Sequence, residues 1–311
     1  AGVTFSLTPN GPVRLNARGF SSDAVSVLYD SVRAIASGGQ TRNQDSWMFE
    51  RIEVLSGPAS ILYGEGALAG VINFVPKRPE LGARTFSTLL SVGNLDTVRV
   101  AGDVNLPLGD KVAVRAIGSA NRTGGYIDDT DGEFYTSSFG IRLQPHARLS
   151  VDVGVDYSTD ALGTAYYGTP LVPASVARDP AGIVRTPTGL VFDRALRSSN
   201  FNVENPGYGA DTTILRSQIR YRVNRALTFT NVLSRYDAQH RFLDNAINFT
   251  YLPATRLVAR ARREISGGEH FYSRHLEPRR RNGAAKRRGA QPGEMPRAHA
   301  GHVVERSHEP V

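Results

Sequence analysis

The chain of 311 residues contains no cysteine, one tryptophan and two methionines. Without thiols there is no disulfide framework and no thiolate metal site. No run approaches the ~18 consecutive apolar residues of a spanning helix. Membrane residence would therefore have to come from a β-barrel, the other structure that satisfies every backbone polar group in lipid. The opening AGVTFSLTPNG has no basic stretch followed by an apolar core, so it is not a signal peptide, and an exported protein would be expected to begin upstream of Ala1. The seven histidines lack ligand spacing, and no Ser-His-Asp, Cys-His or Walker arrangement occurs. No catalytic site, metal site or cofactor is expected.

Charge is unevenly placed. The net +8 is almost confined to residues 256–311, where thirteen Lys/Arg meet six Asp/Glu; the other 255 residues hold twenty-four against twenty-three. The basicity belongs to a tail and not to a binding face.

The most informative stretch is Arg51 to Pro79, RIEVLSGPASILYGEGALAGVINFVPKRP. Four short β-patterned runs (Arg14–Ala17, Val25–Tyr29, Arg51–Leu55 and Val71–Val75) are separated by Gly- and Ser-containing connectors. Between the last two, Gly57-Pro58 opens a helical turn: Pro58 suits a first helical position, where its missing N–H has no partner to lose. Gly64 suits the left-handed residue that ends such a turn, and Ile61 and Leu62 would pack the turn on the small sheet. Residues Gly64 to Ala69 formally fit GxGxxG/A, but the β-branched run Val71-Ile72-Asn73-Phe74-Val75 follows where a dinucleotide site needs a helix.

These residues resemble the plug domain of TonB-dependent outer-membrane receptors. The likeness runs through Arg51-Ile52-Glu53-Val54, Gly57-Pro58-Ala59-Ser60, Leu62-Tyr63-Gly64, Gly70-Val71-Ile72-Asn73 and Lys77-Arg78-Pro79. Upstream, Ala17-Arg18-Gly19-Phe20 is similar to the family's IRGF segment and Tyr29-Asp30-Ser31 to its central DG strand end. Departures are Ser56 for the usual Arg, and Ala69 and Ser31 for the usual Gly. By itself the Arg51/Glu53 pair reads as a solvated ion pair on an exposed strand. The resemblance implies instead that both charges pair with the barrel wall, in a polar bridge that holds the plug yet releases it when pulled. Likewise Gly38 to Trp47 reads as an ordinary surface loop with a half-buried anchor. The resemblance makes it an apical loop facing the outer mouth, with Arg18, Gln40 and Trp47 as ligand contacts: Trp47 offers an aromatic face and Arg18 a charge for an anionic chelate.

From Arg84 the pattern turns to period two. Val98, Val100, Gly102, Val104, Leu106 and Leu108 share one face, and Arg99, Asp103 and Asn105 the other. Leu149, Val151, Val153, Val155 and Tyr157 alternate with Ser150, Asp152, Gly154, Asp156 and Ser158. Leu215, Ile219, Tyr221 and Val223 alternate with Arg216, Gln218, Arg220 and Arg222. Strands are expected near 84–93, 97–108, 111–121, 135–144, 149–158, 212–223 and 226–237, with an eighth beginning near His270. Alternation alone would also suit a soluble sandwich, so loop lengths decide. Gly109-Asp110, Pro145–Arg148 and Asn224-Arg225 are tight turns, whereas the connection after the fifth strand runs about fifty residues, Thr159 to Asp211. Short turns on one side and long loops on the other mark an outer-membrane barrel. Inward parity then assigns Arg99, Asp103, Arg115, Arg216 and Arg220 to the lumen or plug. On the lipid face each would cost ~2–4 kcal/mol at mid-membrane.

The expected architecture is an α+β plug (1–80) followed by the first strands of a large antiparallel transmembrane β-barrel (81–277), incomplete because plugged barrels need about 22 strands. Residues 278–311 hold eight Lys/Arg and four Pro without aromatic, Ile or Leu, and are expected to form a disordered basic tail. A phosphate-binding arm is the functional reading of that tail. An out-of-frame stretch of a GC-rich gene is the plainer one, and nucleic acid is not expected as a partner.

The resemblance implies import of a ferric siderophore, as transported ligand, across the outer membrane of a Gram-negative bacterium. TonB would pull the plug through a segment lying before Ala1, and outer-membrane lipid would surround the wall. Another cargo, such as cobalamin or an oligosaccharide, and a passive structural or adhesive barrel are the alternatives; the plug motif argues against the last.

Overall fold

The computed structural model describes residues 3–7, 13–17, 24–33, 40–41, 44–57, 67–163, 166, 168–185, 189–200, 208–252, 257–278 and 302–303. Side chains are described within 24–33, 44–57, 67–163, 166, 168–182, 189–200 and 209–239. The expected tail lies outside the described residues except for Pro278 and His302–Val303. Arg18, Pro58 and Gly64 also lie outside them.

Two small sheets form the N-terminal part. The first contains β1 (Val3–Leu7), β2 (Val13–Ala17) and, beyond the second sheet's opening strands, β5 (Gln40–Thr41), in the order β1-β2-β5. The second contains β3 (Val25–Tyr29), β4 (Val32–Arg33), β6 (Phe49–Ser56) and β7 (Gly70–Pro76), in the order β4-β3-β7-β6. Strands β3 and β7 are parallel, with Val27 opposite Ile72. Central position explains why all five residues of β3 are buried, Ser26 included: both faces and both edges are covered, so apolar β-branched residues are favoured without alternation. A 3₁₀ turn at Ser46–Met48, capped by the Asp45 carboxylate accepting from Trp47 N, leads into β6. It is the only helical turn among the described residues between Asp45 and Pro79; the turn expected to open at Gly57-Pro58 lies outside the described residues from Pro58 on.

The rest is one antiparallel meander: β8 (Thr85–Gly93), β9 (Thr97–Pro107), β10 (Val112–Thr123), β11 (Gly132–His146) and β12 (Leu149–Leu162). A small outer sheet of β13 (Val172–Pro173), β14 (Pro180–Arg185) and β15 (Leu190–Asp193) interrupts it. The meander resumes with β16 (Tyr208–Arg222), β17 (Thr228–Leu252) and β18 (Leu257–Pro278), and the two-residue β19 (His302–Val303) pairs with the last. Strand order follows sequence order throughout, and among the described residues the sheet is open, with β8 at one edge.

The strands are longer than the alternation predicts. The eighth starts at Leu257, not near His270, and pairs with an extended β17. Arg262-Arg263 and Gly267-Gly268 interrupt the alternation in that stretch. A strand running beyond the apolar band has water on both faces, so period two is no longer required there. The fifty-residue connection is also shorter than expected, because β12 runs to Leu162 and β16 starts at Tyr208. Its Asp193 carboxylate accepts backbone N–H groups from Arg178, Asp179 and Ala195 at 2.8–3.1 Å, which ties β14 and β15 together. Asp193 is buried, yet the three donors outweigh that desolvation and hold its carboxyl below the usual range.

Facing is as the parity predicts. Phe86, Leu90, Val98, Val100, Phe139, Val153, Leu215 and Leu233 lie exposed on one face. Asp103, Asn105, Arg115, Asp152, Asp156 and Arg216 are buried on the other, the face that meets Tyr29, Lys77, Arg78 and Glu80. A sheet with an apolar exposed face and a charged buried one is inside-out for a soluble domain, and it is what lipid outside and a polar lumen inside require. The described residues contain no helix long and apolar enough to cross a membrane.

Candidate functional site: the seam between plug and wall

The charged face of the meander is joined to the N-terminal sheets by a continuous polar seam. At its lower end, near the tight turns, Asn105 Nδ2 donates to the carbonyls of Glu80 and Ala83 at 2.9 and 2.6 Å, and its Oδ1 accepts from Glu80 N at 2.9 Å. Asn105 is 1% exposed, so three backbone groups of the connecting segment depend on it.

One level higher, Asp103 receives Lys77 Nζ at 2.9 Å and both Nε and Nη2 of Arg115 at 2.8 Å. Arg115 also donates to the carbonyl of Arg78 at 2.9 Å. The Lys77 ammonium sits 4.8 Å from the centre of the Trp47 ring. Alongside, Asp156 collects Arg216 Nε, the Tyr29 hydroxyl and the Ser138 hydroxyl at 2.7, 2.7 and 2.5 Å. Burial first, and then the Asp156 charge, push the Tyr29 hydroxyl well above its ordinary range, so it remains a donor. Apolar packing reinforces this level: Tyr29, Met48 and Phe49 of the plug cluster with Ile117 and Ile214 of the wall. Nearest the outer end, Arg99 Nη2 reaches the Asp45 carboxylate at 2.5 Å. The lumen-facing charges Arg99, Asp103, Arg115 and Arg216 thus all meet the plug or a wall partner that itself meets the plug.

Gly154 makes room for this arrangement. A Cβ there would lie 2.8 Å from Arg216 Cζ, so only glycine lets the guanidinium fold back onto Asp156.

Within the plug, Arg78 Nη2 grips both oxygens of Asp30 at 2.5 and 2.6 Å, and Nη1 donates to Gln218 of the wall. Asp30 and Ser31 form the two-residue turn between β3 and β4, with φ of 52° and 67°. Both central residues of such a turn are left-handed, which favours Gly or Asn. Ser31 is accommodated because Asn73 Oδ1 accepts its N–H at 2.9 Å and Asn73 Nδ2 donates to its hydroxyl at 3.3 Å.

The residues singled out in the sequence are placed as follows. Arg51 Nε donates to Glu53 at 2.8 Å, and Asn73 Nδ2 donates to the other Glu53 oxygen at 2.8 Å. Those two donors, Asn73 first, hold the Glu53 carboxyl below its usual range. Arg51 and Glu53 pair with each other and remain 58% and 47% exposed; no wall partner for either lies among the described residues. Gly57 has φ +104°, and Gly70 packs so close that a Cβ would lie 2.7 Å from the carbonyl oxygen of Leu55. Gln40 lies in β5. Trp47 is half-buried against the seam cluster beside Lys77. Tyr29, Asp30, Lys77 and Arg78 were named only within the plug resemblance, with no contact to the wall assigned to them. For Lys77 and Arg78 the signal was present, as a basic pair just before the first wall strand.

A family profile described as TonB-dependent Receptor Plug Domain matches residues 1–71. The chain is similar, over these residues, to the plug of the TonB-dependent receptors. It is 31% identical over 216 residues to the ferric enterobactin receptor PirA of Pseudomonas aeruginosa, a match covering 64% of this chain and 27% of that one. It is 35% identical over 125 residues to the metal-pseudopaline receptor CntO of the same species, covering 39% of this chain and 17% of the relative. The matched stretch therefore spans about a quarter, or less, of the length of these relatives. Its fold matches the crystal structure of the ferripyoverdine receptor of the Pseudomonas aeruginosa outer membrane with a TM-score of 0.69 at 18% identity, over 86% of this chain and 35% of that one. The profile match covers most of the N-terminal part expected as the plug, and the charged face of the meander is the one turned towards that part.

Proposed function

We propose that the receptor imports a ferric siderophore across the outer membrane of a Gram-negative bacterium, with TonB supplying the pull that moves the plug. The observation that carries this reading is the seam. A plug held by charge pairs and hydrogen bonds exchanges its partners for water at little net cost once wetted, whereas an apolar interface of the same extent would oppose separation throughout. Such a closure is suited to repeated opening, and opening is needed only if something too large for a small pore must pass. The namesake ligands of the relatives, ferric enterobactin and metal–pseudopaline complexes, are metal chelates, which favours a chelate over cobalamin or an oligosaccharide. Trp47, Gln40 and Arg18 are proposed as plug contacts for that cargo. Trp47 supports the reading only in part, because its ring already serves the seam. The polypeptide's part is binding, gating and release; iron is cargo and not a resident cofactor.

The experiment is uptake of radiolabelled iron presented on a panel of siderophores to cells whose only such receptor is the intact protein. Uptake from at least one chelate, abolished by a protonophore, is expected. Equal uptake with and without the receptor for every chelate would overturn the reading.

A further inference from the structure

A cavity of about 410 Å³ lies between the plug and the wall, at the end of the wall that carries the tight turns. Tight turns face the periplasm in barrels of this kind, so the cavity is on the inner side of the seam. Its wall side is lined by Arg142 of β11 and by Gln218 and Arg220 of β16, and its plug side includes Arg51 and Arg78. Three of these guanidiniums are unusually free. Arg51 and Arg142 each commit only Nε, to Glu53 and Asp152 respectively. Their terminal amino groups, and the whole of Arg220, have no acceptor among the described residues. Arg78 Nε is buried and likewise without an acceptor. Of the lining carboxylates, Asp30 is held by Arg78 and Glu80 leans towards Arg115 at 3.5 Å, which leaves Glu50 as the opposing charge.

Guanidiniums fixed through Nε with free terminal N–H groups, as in Arg51 and Arg142, are preorganised forks for oxyanions, and the exposed, uncommitted Arg220 adds a third cation beside them. We propose that this cavity is an inward-facing oxyanion site, through which the carboxylate, catecholate or hydroxamate oxygens of the cargo pass as it leaves the barrel, with Arg220 and Arg142 as the contacts on the wall. The volume falls within the range of small-molecule sites and suits a small polyanion or the metal-bound part of a chelate. This inference rests on the proposed import function, so its test includes a readout independent of import.

In the intact receptor, phenylglyoxal labelling read by peptide mass spectrometry is expected to modify Arg220, and millimolar citrate or the ferric siderophore is expected to suppress that labelling several-fold. Arg220→Gln is expected to leave siderophore binding at the outer face unchanged while slowing import about tenfold, the loss of one charge-assisted hydrogen bond. Arg220→Lys should recover part of the rate, and Glu50→Gln should strengthen protection by citrate. Labelling that neither citrate nor the siderophore alters would overturn the site. Protection by citrate alone, with Arg220→Gln importing normally, would make it a small-anion site and overturn the transit role. If the unaltered receptor imports no ferric siderophore, the proposed function falls, and protection by citrate still decides whether the cavity binds oxyanions.

Discussion

Replacing Asp156 by Asn tests the seam at its most buried point. Asp156 and Arg216 side chains are 6% and 5% exposed, and the carboxylate also serves Tyr29 and Ser138. Asn keeps the shape and one acceptor oxygen but removes the countercharge, leaving the guanidinium with weak bonds to Ser138 Oγ and the Lys77 carbonyl, both at 3.4 Å. Breaking a buried pair on one side costs about 3–5 kcal/mol, and the retained acceptor places this case near the lower limit. A loss of about 3 kcal/mol is roughly a 150-fold change in the opening equilibrium. Amide exchange of plug strand β3, which carries Tyr29, reads that opening directly in the intact receptor. The double variant Asp156→Leu with Arg216→Met removes both charges, so it should recover most of the loss, short of about 1 kcal/mol for the orphaned Tyr29 hydroxyl. Exchange in the single Asn variant within about threefold of the unaltered receptor, under 1 kcal/mol, would refute a seam held by this pair. A double variant no better than the single would refute the electrostatic reasoning.

Three further outcomes follow from the same geometry. Gly154→Ala should push Arg216 off Asp156 and loosen β3 by about 1–3 kcal/mol, as overpacking does, again read by amide exchange; an unchanged β3 would mean the guanidinium has another berth. The depressed Glu53 carboxyl stabilises the β6–β7 pair above the unfolded carboxylate pKa, and that stabilisation is lost as pH falls through the lower folded value. Plug strand β6 should therefore loosen only below about pH 4, and a Glu53→Gln receptor should lack that step. Asp193→Ala removes the acceptor of three backbone N–H groups. It should raise exchange at Arg178, Asp179 and Ala195 by a loss of about 2 kcal/mol while leaving the wall strands unaffected; protected amides there would show that the outer sheet does not depend on Asp193.

How much of this was legible in the sequence depended on whether a local pattern carried it. Strand alternation fixes facing, so Val98, Val100, Val153 and Leu215 could be assigned outward and Arg99, Asp103, Arg115 and Arg216 inward. The extension of β17 and β18 was not legible, because strands beyond the apolar band need not alternate. The seam's pairings were only half visible. Inward charge announced that partners must exist, but Tyr29 is 127 residues from Asp156 and Arg78 is 140 from Gln218. No local pattern states such a pairing. Arg51 and Glu53 show the converse: two residues apart on one strand face, they form a pairing that sequence spacing alone makes visible.

The central claim, that the plug is seated on the lumen wall through charge pairs, is tested most directly by a zero-length carbodiimide cross-link in outer-membrane vesicles. Lys77 Nζ lies 2.9 Å from Asp103, so the reagent should join them as an amide found by peptide mass spectrometry, and Lys77→Arg should abolish that product. Full recovery of both peptides with Lys77 joined only to plug carboxylates, or to none, would contradict the account.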